Sequence, residues 1–108
     1  MKAVKMPTSD SYREFLIESL KDREHAAGFI EAILEEKEPE PELLRNALKK
    51  VVDARLRMDS LSQSAKQKWE KLDKMLSETG GSEIYTLVEL LDALGFRLAV
   101  TLKEENNA

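Results

Sequence analysis

Four lysines within nine residues, Lys66, Lys68, Lys71 and Lys74, with Gln67 among them, are the side chains of this chain best placed to do chemistry. That chemistry is ionic. Ammonium groups spaced along a helix neutralise phosphates, which gives affinity and salt dependence without sequence information. An amide such as Gln67, or the ammonium of Lys71, would add base reading if it reached a groove edge. Lys68, Lys71 and Lys74 follow at i, i+3 spacing, so neighbours in the series lie close on a helix surface. The same pattern also describes a solvated basic face that touches nothing, and the sequence leaves both readings open.

Other candidate groups point away from catalysis. There is no cysteine, and His25 is the only histidine. One imidazole without thiolates makes a poor metal site, and no Ser or Cys stands ready for it to activate. No metal, no cofactor and no enzymatic activity are therefore expected. The carboxylates Glu35, Glu36, Glu38, Glu40 and Glu42 flank a Pro-rich turn. They read as a solvated linker or as a contact for a basic protein. Gly80-Gly81 has no preceding strand and no following Gly-Lys-Ser/Thr, so it reads as a turn and not as a phosphate loop. Trp69 suits the core or a dimer surface, with stacking on a partner as the alternative.

The chain has 108 residues, of which 42% are hydrophobic and 6% aromatic. This suits one domain with a modest core of Leu, Ile, Val and Ala, whose stability a dimer would raise. The net charge of -4 hides an asymmetry. Residues 1–44 carry six Lys/Arg against eleven Asp/Glu, residues 45–74 nine against four, and residues 75–108 two against six. A basic middle between acidic ends is a possible footprint for a polyanion. No apolar run approaches the roughly 20 residues needed to span a bilayer. Residues 1–7 lack the apolar core of a signal peptide. A cytoplasmic protein with no membrane partner is expected.

The elements that must position these groups are nearly all helical. Residues 1–10 read as a flexible arm containing Pro7. A helix over about 11–20 would turn Tyr12, Phe15, Leu16, Ser19 and Leu20 inward. Asp22 suits the N-cap of a second helix, in which Ala26, Phe29, Ile30, Ile33 and Leu34 recur at helical spacing. Pro41 suits the first position of a third helix, with Leu44, Ala47, Leu48, Val51 and Val52 on its buried face. A short fourth helix would include Met58, Leu61 and Ala65. A fifth, over 68–77, would bury Trp69, Leu72, Met75 and Leu76. A sixth, over 86–94, would bury Leu87, Leu90, Leu91 and Leu94 before a left-handed cap at Gly95. Beyond it the pattern switches to period two. Phe96, Leu98, Val100 and Leu102 share one face, and Arg97, Ala99 and Thr101 the other. A lone strand leaves its backbone unpaired, so the expected partner is the same strand of a second copy; packing within one subunit is the alternative.

From residue 43 onward this order is the plan of a helix-turn-helix domain of the Cro/repressor type. The pattern Leu-Leu-(x)2-Ala-Leu-(x)2-Val-Val-x-Ala-Arg from Leu43 to Arg55, and the run from Thr86 to Leu98, resemble the addiction-module antidote proteins. These are HigA-like antitoxins with a Xre-type helix-turn-helix. The segment from Phe15 to Glu36 resembles that family's N-terminal helical pair. The resemblance covers roughly residues 12–102. It implies a dimeric antitoxin, encoded beside a toxin of the ribosome-dependent endonuclease kind, that neutralises the toxin and represses its own operon. The family carries a glycine, a buried leucine and a capping serine at the turn, where this chain has Lys66, Gln67 and Lys68. A lysine takes a positive φ at a cost of about 1 kcal/mol or more. The altered turn therefore admits one longer helix from about 61 to 77 in place of two.

The expected fold is an all-α, repressor-like helix-turn-helix domain with an N-terminal helical extension and one C-terminal β-strand paired across a dimer. The expected divisions are a flexible arm (1–10), the helical extension (11–40), the helix-turn-helix domain with its strand (41–102) and a tail (103–108). Lys66, Gln67, Lys68, Lys71 and Lys74 are the expected DNA contacts, and Phe96, Leu98, Val100 and Leu102 the expected dimer interface. Operator DNA, a cognate toxin and a second copy are the expected partners. The alternative function is a protein-interaction module of the same fold that binds a toxin but no longer reads DNA.

Overall fold

The helix α3 (Leu43–Arg57) is long enough for its two ends to serve two different sets of neighbours. A computed structural model describes residues 9–103. Their helices are α1 (Ser9–Ser19), α2 (Arg23–Leu34), α3, α4 (Gln63–Thr79) and α5 (Ser82–Ala93). Near the C-terminal end of α3, Ala54 is fully buried with Ile17, Leu20 and Ala26, and Leu16, Phe29 and Val51 pack around them. At its N-terminal end, Leu44 is buried with Leu76 and Tyr85, backed by Ile33, Leu34, Leu48, Leu72 and Ile84. Helix α2 contributes to both clusters, Ala26 and Phe29 to the first and Ile33 and Leu34 to the second. Residues 11–40 thus pack on α3 and do not form a core of their own.

Local chemistry explains the helix ends. The Asp22 carboxylate accepts from the amides of Glu24 (2.9 Å) and His25 (3.1 Å) and so caps α2, as its position in the sequence suggests. Helix α5 closes in a Schellman turn. The Phe96 amide donates to the Leu91 carbonyl at 2.7 Å and the Gly95 amide to the Asp92 carbonyl at 3.0 Å. Gly95 sits at φ +91°, a conformation open to glycine. Gly80 and Gly81 lie at φ +69° and +81° and turn the chain from α4 into α5. A Cβ on Gly81 would stand 3.1 Å from Leu44 Cδ2 and 3.2 Å from Leu76 Cδ2. This glycine is therefore required twice, by its backbone angle and by the packing beneath it.

The all-α class matches the described residues, but several details differ from expectation. The fourth and fifth helices join into α4. Among the described residues there is no strand, and 96–103 run without regular structure. The alternating pattern is present, but a single strand in one chain has no ladder to join. Ile17 of α1 and Leu20 just beyond it are buried, while Tyr12 and Phe15, expected inside, are exposed. Helix α5 is rotated in the same sense, with Tyr85 buried and Leu87, Leu90 and Leu94 exposed. Met75 of α4 is also exposed. In each helix the aliphatic positions outnumber the space beside the neighbouring helices, so only one of two possible apolar stripes is covered. The arm at 1–8, including the Ala3–Met6 stretch that could pair with a strand, and the tail at 104–108 lie outside the described residues.

Gly81→Ala should lower stability by about 2 kcal/mol, from the positive φ and the overpacking against Leu44 and Leu76. A urea midpoint that falls with the slope unchanged is the expected result. The Glu18 carboxyl is held below its ordinary range by hydrogen bonds from Lys21 and Arg57. A depressed folded-state value means that its contribution is present above the unfolded value and is lost as pH falls through the folded one. The stability gap between wild type and Glu18→Gln should be open at neutral pH and close on acidification, which urea titrations at several pH values would read.

Candidate nucleic-acid interface

Helix α4 carries every expected DNA contact, and its continuity has a simple sequence cause. The Ser62 hydroxyl accepts from the Ala65 amide at 3.0 Å and caps the start. From Gln63 to Glu78 there is no Gly, no Pro and no β-branched residue, so nothing in that stretch opposes a helix. Gly80 ends it in the left-handed conformation. Lys66, Gln67 and Lys68, where the resemblance implies a turn, lie inside the helix. The change of direction falls earlier, in 58–62, where Asp59 adopts φ +54°. The expected pair of short helices is thus replaced by one longer helix, which a lysine at 66 allows.

One side of α4 faces the protein. Leu76 is buried and Leu72 and Trp69 are half-buried, so Trp69 lies at the margin of the core. Asp73 accepts from Arg45 Nε of α3 at 2.6 Å, which fixes the orientation of α4 on α3. Lys66, Gln67, Lys68, Lys71 and Lys74 are all exposed on the remaining surface. Lys66, Glu70 and Lys74 form one i, i+4 row, and Gln67, Lys71 and Met75 form the row beside it. Lys68, Lys71 and Lys74 step round the helix by about 60° each, an oblique line and not a single ridge. Lys68 Nζ lies 3.5 Å from Ser64 Oγ. Lys66, Lys71 and Lys74 carry no ion pair among the described residues.

The other cations of the basic middle segment are mostly neutralised. Arg57 bonds Glu14 (2.8 Å) and Glu18 (3.0 Å) of α1, and Lys49 lies 3.6 Å from Asp53. Lys50 is half-buried, and burial followed by the charge of Arg13 pushes its ammonium below the ordinary lysine range. The surface open to an anion is therefore narrower than the sequence suggests and is concentrated on α4.

The expected dimer surface is differently arranged. Phe96 and Leu102 are exposed, whereas Leu98 and Val100 are half-buried. The segment is held to α2 by carboxylates. Arg97 donates to Glu35 and Glu31, both at 2.9 Å, and the Val100 amide donates to Glu31 Oε1 at 3.0 Å. A cleft of about 350 Å³ lies between the end of α2, α5 and this segment. Leu34, Val88 and Phe96 line its apolar part; in its charged part Glu35, Glu36, Glu89 and Asp92 outnumber Lys37 and Arg97. At its wall the Tyr85 hydroxyl donates to the Ile33 carbonyl at 2.8 Å, and burial and the charge of Glu36 push its pKa up. Arg97 and Tyr85 escaped the sequence reading, because their partners lie 62 and 52 residues away. His25 is exposed, and among the described residues no cluster of three His, Asp or Glu groups could hold a metal ion. No described helix is long and apolar enough to cross a membrane.

No family model matches this chain, and no curated protein or solved structure matches it significantly.

Lys68→Pro tests the continuity of α4. In the helix interior proline removes the amide bond to residue 64 and clashes with the preceding turn, which costs about 3 kcal/mol or more. A marked loss of helical ellipticity and stability is expected. If the chain turned at 66–68 and began a new helix at Trp69, the substitution would be tolerated.

Proposed function

We propose that this protein is a DNA-binding transcriptional regulator, the antitoxin of a toxin–antitoxin pair. It acts as a cytoplasmic homodimer that represses its own operon and neutralises its toxin. The single observation that carries this reading is the row of exposed cations on α4, with Lys66, Lys71 and Lys74 free of ion pairs among the described residues. The resemblance of residues 12–102 to the antidote proteins supports it. In this reading α4 takes the place of the helix pair of a helix-turn-helix and offers its lysines to phosphates. The C-terminal strand forms only when two copies meet.

One feature favours a second reading, a protein-interaction module that no longer reads DNA. The acidic cleft between α2 and α5 leaves Glu36, Glu89 and Asp92 without ion pairs among the described residues. A basic toxin would find charge complementarity there.

The test is fluorescence anisotropy with a labelled fragment from upstream of the gene, at two salt concentrations and against random DNA. Contacts from about four lysines would give a logarithmic salt slope of roughly -3 to -4, or about a hundredfold loss of affinity between about 50 and 200 mM salt. The double variant Lys71→Glu/Lys74→Glu should abolish binding. Unchanged binding by that variant would remove α4 as the interface. Weak binding equal to that of random DNA would leave the interaction module as the standing reading.

A further inference from the structure

The C-terminal parts of two helices, α2 and α5, line the cleft of about 350 Å³, and both carry charge of the wrong sign for a helix end. Neither helix has a base in its last turn. Glu35 is the C-cap of α2 and Glu36 follows it, while Glu89 and Asp92 stand near the end of α5. A helix C-terminus carries partial negative charge, so a lysine or arginine is favourable there and a carboxylate is not. Departures from such local preferences concentrate at functional sites. Two cations of the lining oppose the four carboxylates, Lys37 and Arg97. Arg97 is already held by Glu31 and Glu35, which leaves Lys37 against Glu36, Glu89 and Asp92.

The rest of the lining is apolar. Leu34, Val88 and Leu98 are half-buried and Phe96 is exposed. The cavity is close to the lower bound of pockets that hold a small ligand, roughly 300 Å³. It has room for one or two side chains and not for the face of a folded domain. The chain itself shows what such a place holds. Phe96, Arg97 and Leu98 set a base between two apolar side chains along the cleft. The guanidinium of Arg97 donates from Nε to Glu35 and from Nη2 to Glu31, both at 2.9 Å.

We propose that the cleft receives a linear basic segment of a partner protein. One apolar side chain of the segment enters beside Leu34, Val88 and Phe96, and its flanking lysines or arginines meet Glu36, Glu89 and Asp92. Charge and size together select this occupant. A polyanion is repelled by the lining. A purely apolar segment would cover three carboxylates without pairing them, which is costly. A free polyamine would answer the charge and leave the apolar wall wet. A base beside an apolar anchor answers both, with the anchor in the pocket and the ion pairs at its rim. This rests on the interaction reading of the cleft given above, and it narrows a basic partner to a short segment with that order of side chains.

The experiment is fluorescence anisotropy of a labelled peptide, Lys-Arg-Leu-Leu-Arg-Lys, titrated with the full chain in the absence of DNA. Saturable binding with a Kd on the order of 10–100 μM is expected. Glu89→Lys/Asp92→Lys, changed only at exposed positions, should keep its helical spectrum and weaken binding at least about tenfold. Glu70→Lys/Glu83→Lys shifts the net charge equally on other surfaces and should weaken it less than about threefold. The same peptide with glycines for its leucines should bind at least about tenfold more weakly. Absence of saturable binding overturns the proposal. So does an equal loss in the two charge variants, which would mean attraction by net charge alone, and so does displacement by spermidine as readily as by unlabelled peptide. Co-expression with the product of the neighbouring gene tests the interaction reading by itself. A complex that survives Glu89→Lys/Asp92→Lys removes the cleft as the toxin contact. A complex lost in that variant, with no peptide bound, removes the linear segment alone.

Discussion

The rest of the fold depends on the burial of Leu44. Its side chain is 1% exposed and packs with Leu76 of α4 and Tyr85 of α5, next to Ile33 and Leu34 of α2. Four helices therefore meet at one residue near the start of α3. The turn that lets α4 and α5 both reach it is Gly80-Gly81, and its second glycine lies directly on Leu44 and Leu76. The Tyr85 hydroxyl then ties α5 to the Ile33 carbonyl at the end of α2. The second cluster, around Ala54, attaches α1 to the other end of the same helix. A core this small leaves little room, and the apolar residues that found no place in it, Tyr12, Phe15, Leu87, Leu90 and Leu94, remain at the surface.

Electrostatics divides the same architecture into paired and open regions. Three of the six arginines are used internally. Arg45 binds Asp73, Arg57 binds Glu14 and Glu18, and Arg97 binds Glu31 and Glu35. Each of these contacts joins two separate elements, and the planar guanidinium fork suits such bridges. The lysines of α4 do not bridge elements; they project into solvent. Exposed ion pairs add little stability individually, so the consequence of this division lies in which charges remain available to a partner. A positive row on α4 and an acidic cleft beside α5 are what remain.

These surfaces have different physical characters and suit different partners. The α4 row suits a polyanion and would act through charge that salt screens. The acidic cleft suits a basic protein, and the leucine stripe of α5 suits burial. The three surfaces are separate: one on α4, one in the α2–α5 cleft and one on the outer side of α5.

Much of the secondary structure was legible in the sequence, because the signals are local. Asp22 as a cap, Gly80-Gly81 as a turn and Gly95 as a helix stop each act within a few residues. The exposed lysine row was legible for the same reason, since helical spacing alone brings Lys68, Lys71 and Lys74 together. The continuity of α4 was half legible, in Lys66 standing where the resemblance implies a turn glycine. The tertiary structure decided which apolar stripe of α1 and α5 is covered, because periodicity marks a helix face without naming its neighbour. It also decided that the basic segment spends Arg45 and Arg57 on distant carboxylates, and that Arg97 and Val100 dock on α2 without forming a strand. Those outcomes rest on contacts between residues far apart in sequence, and a strand in particular needs a partner that one chain does not contain.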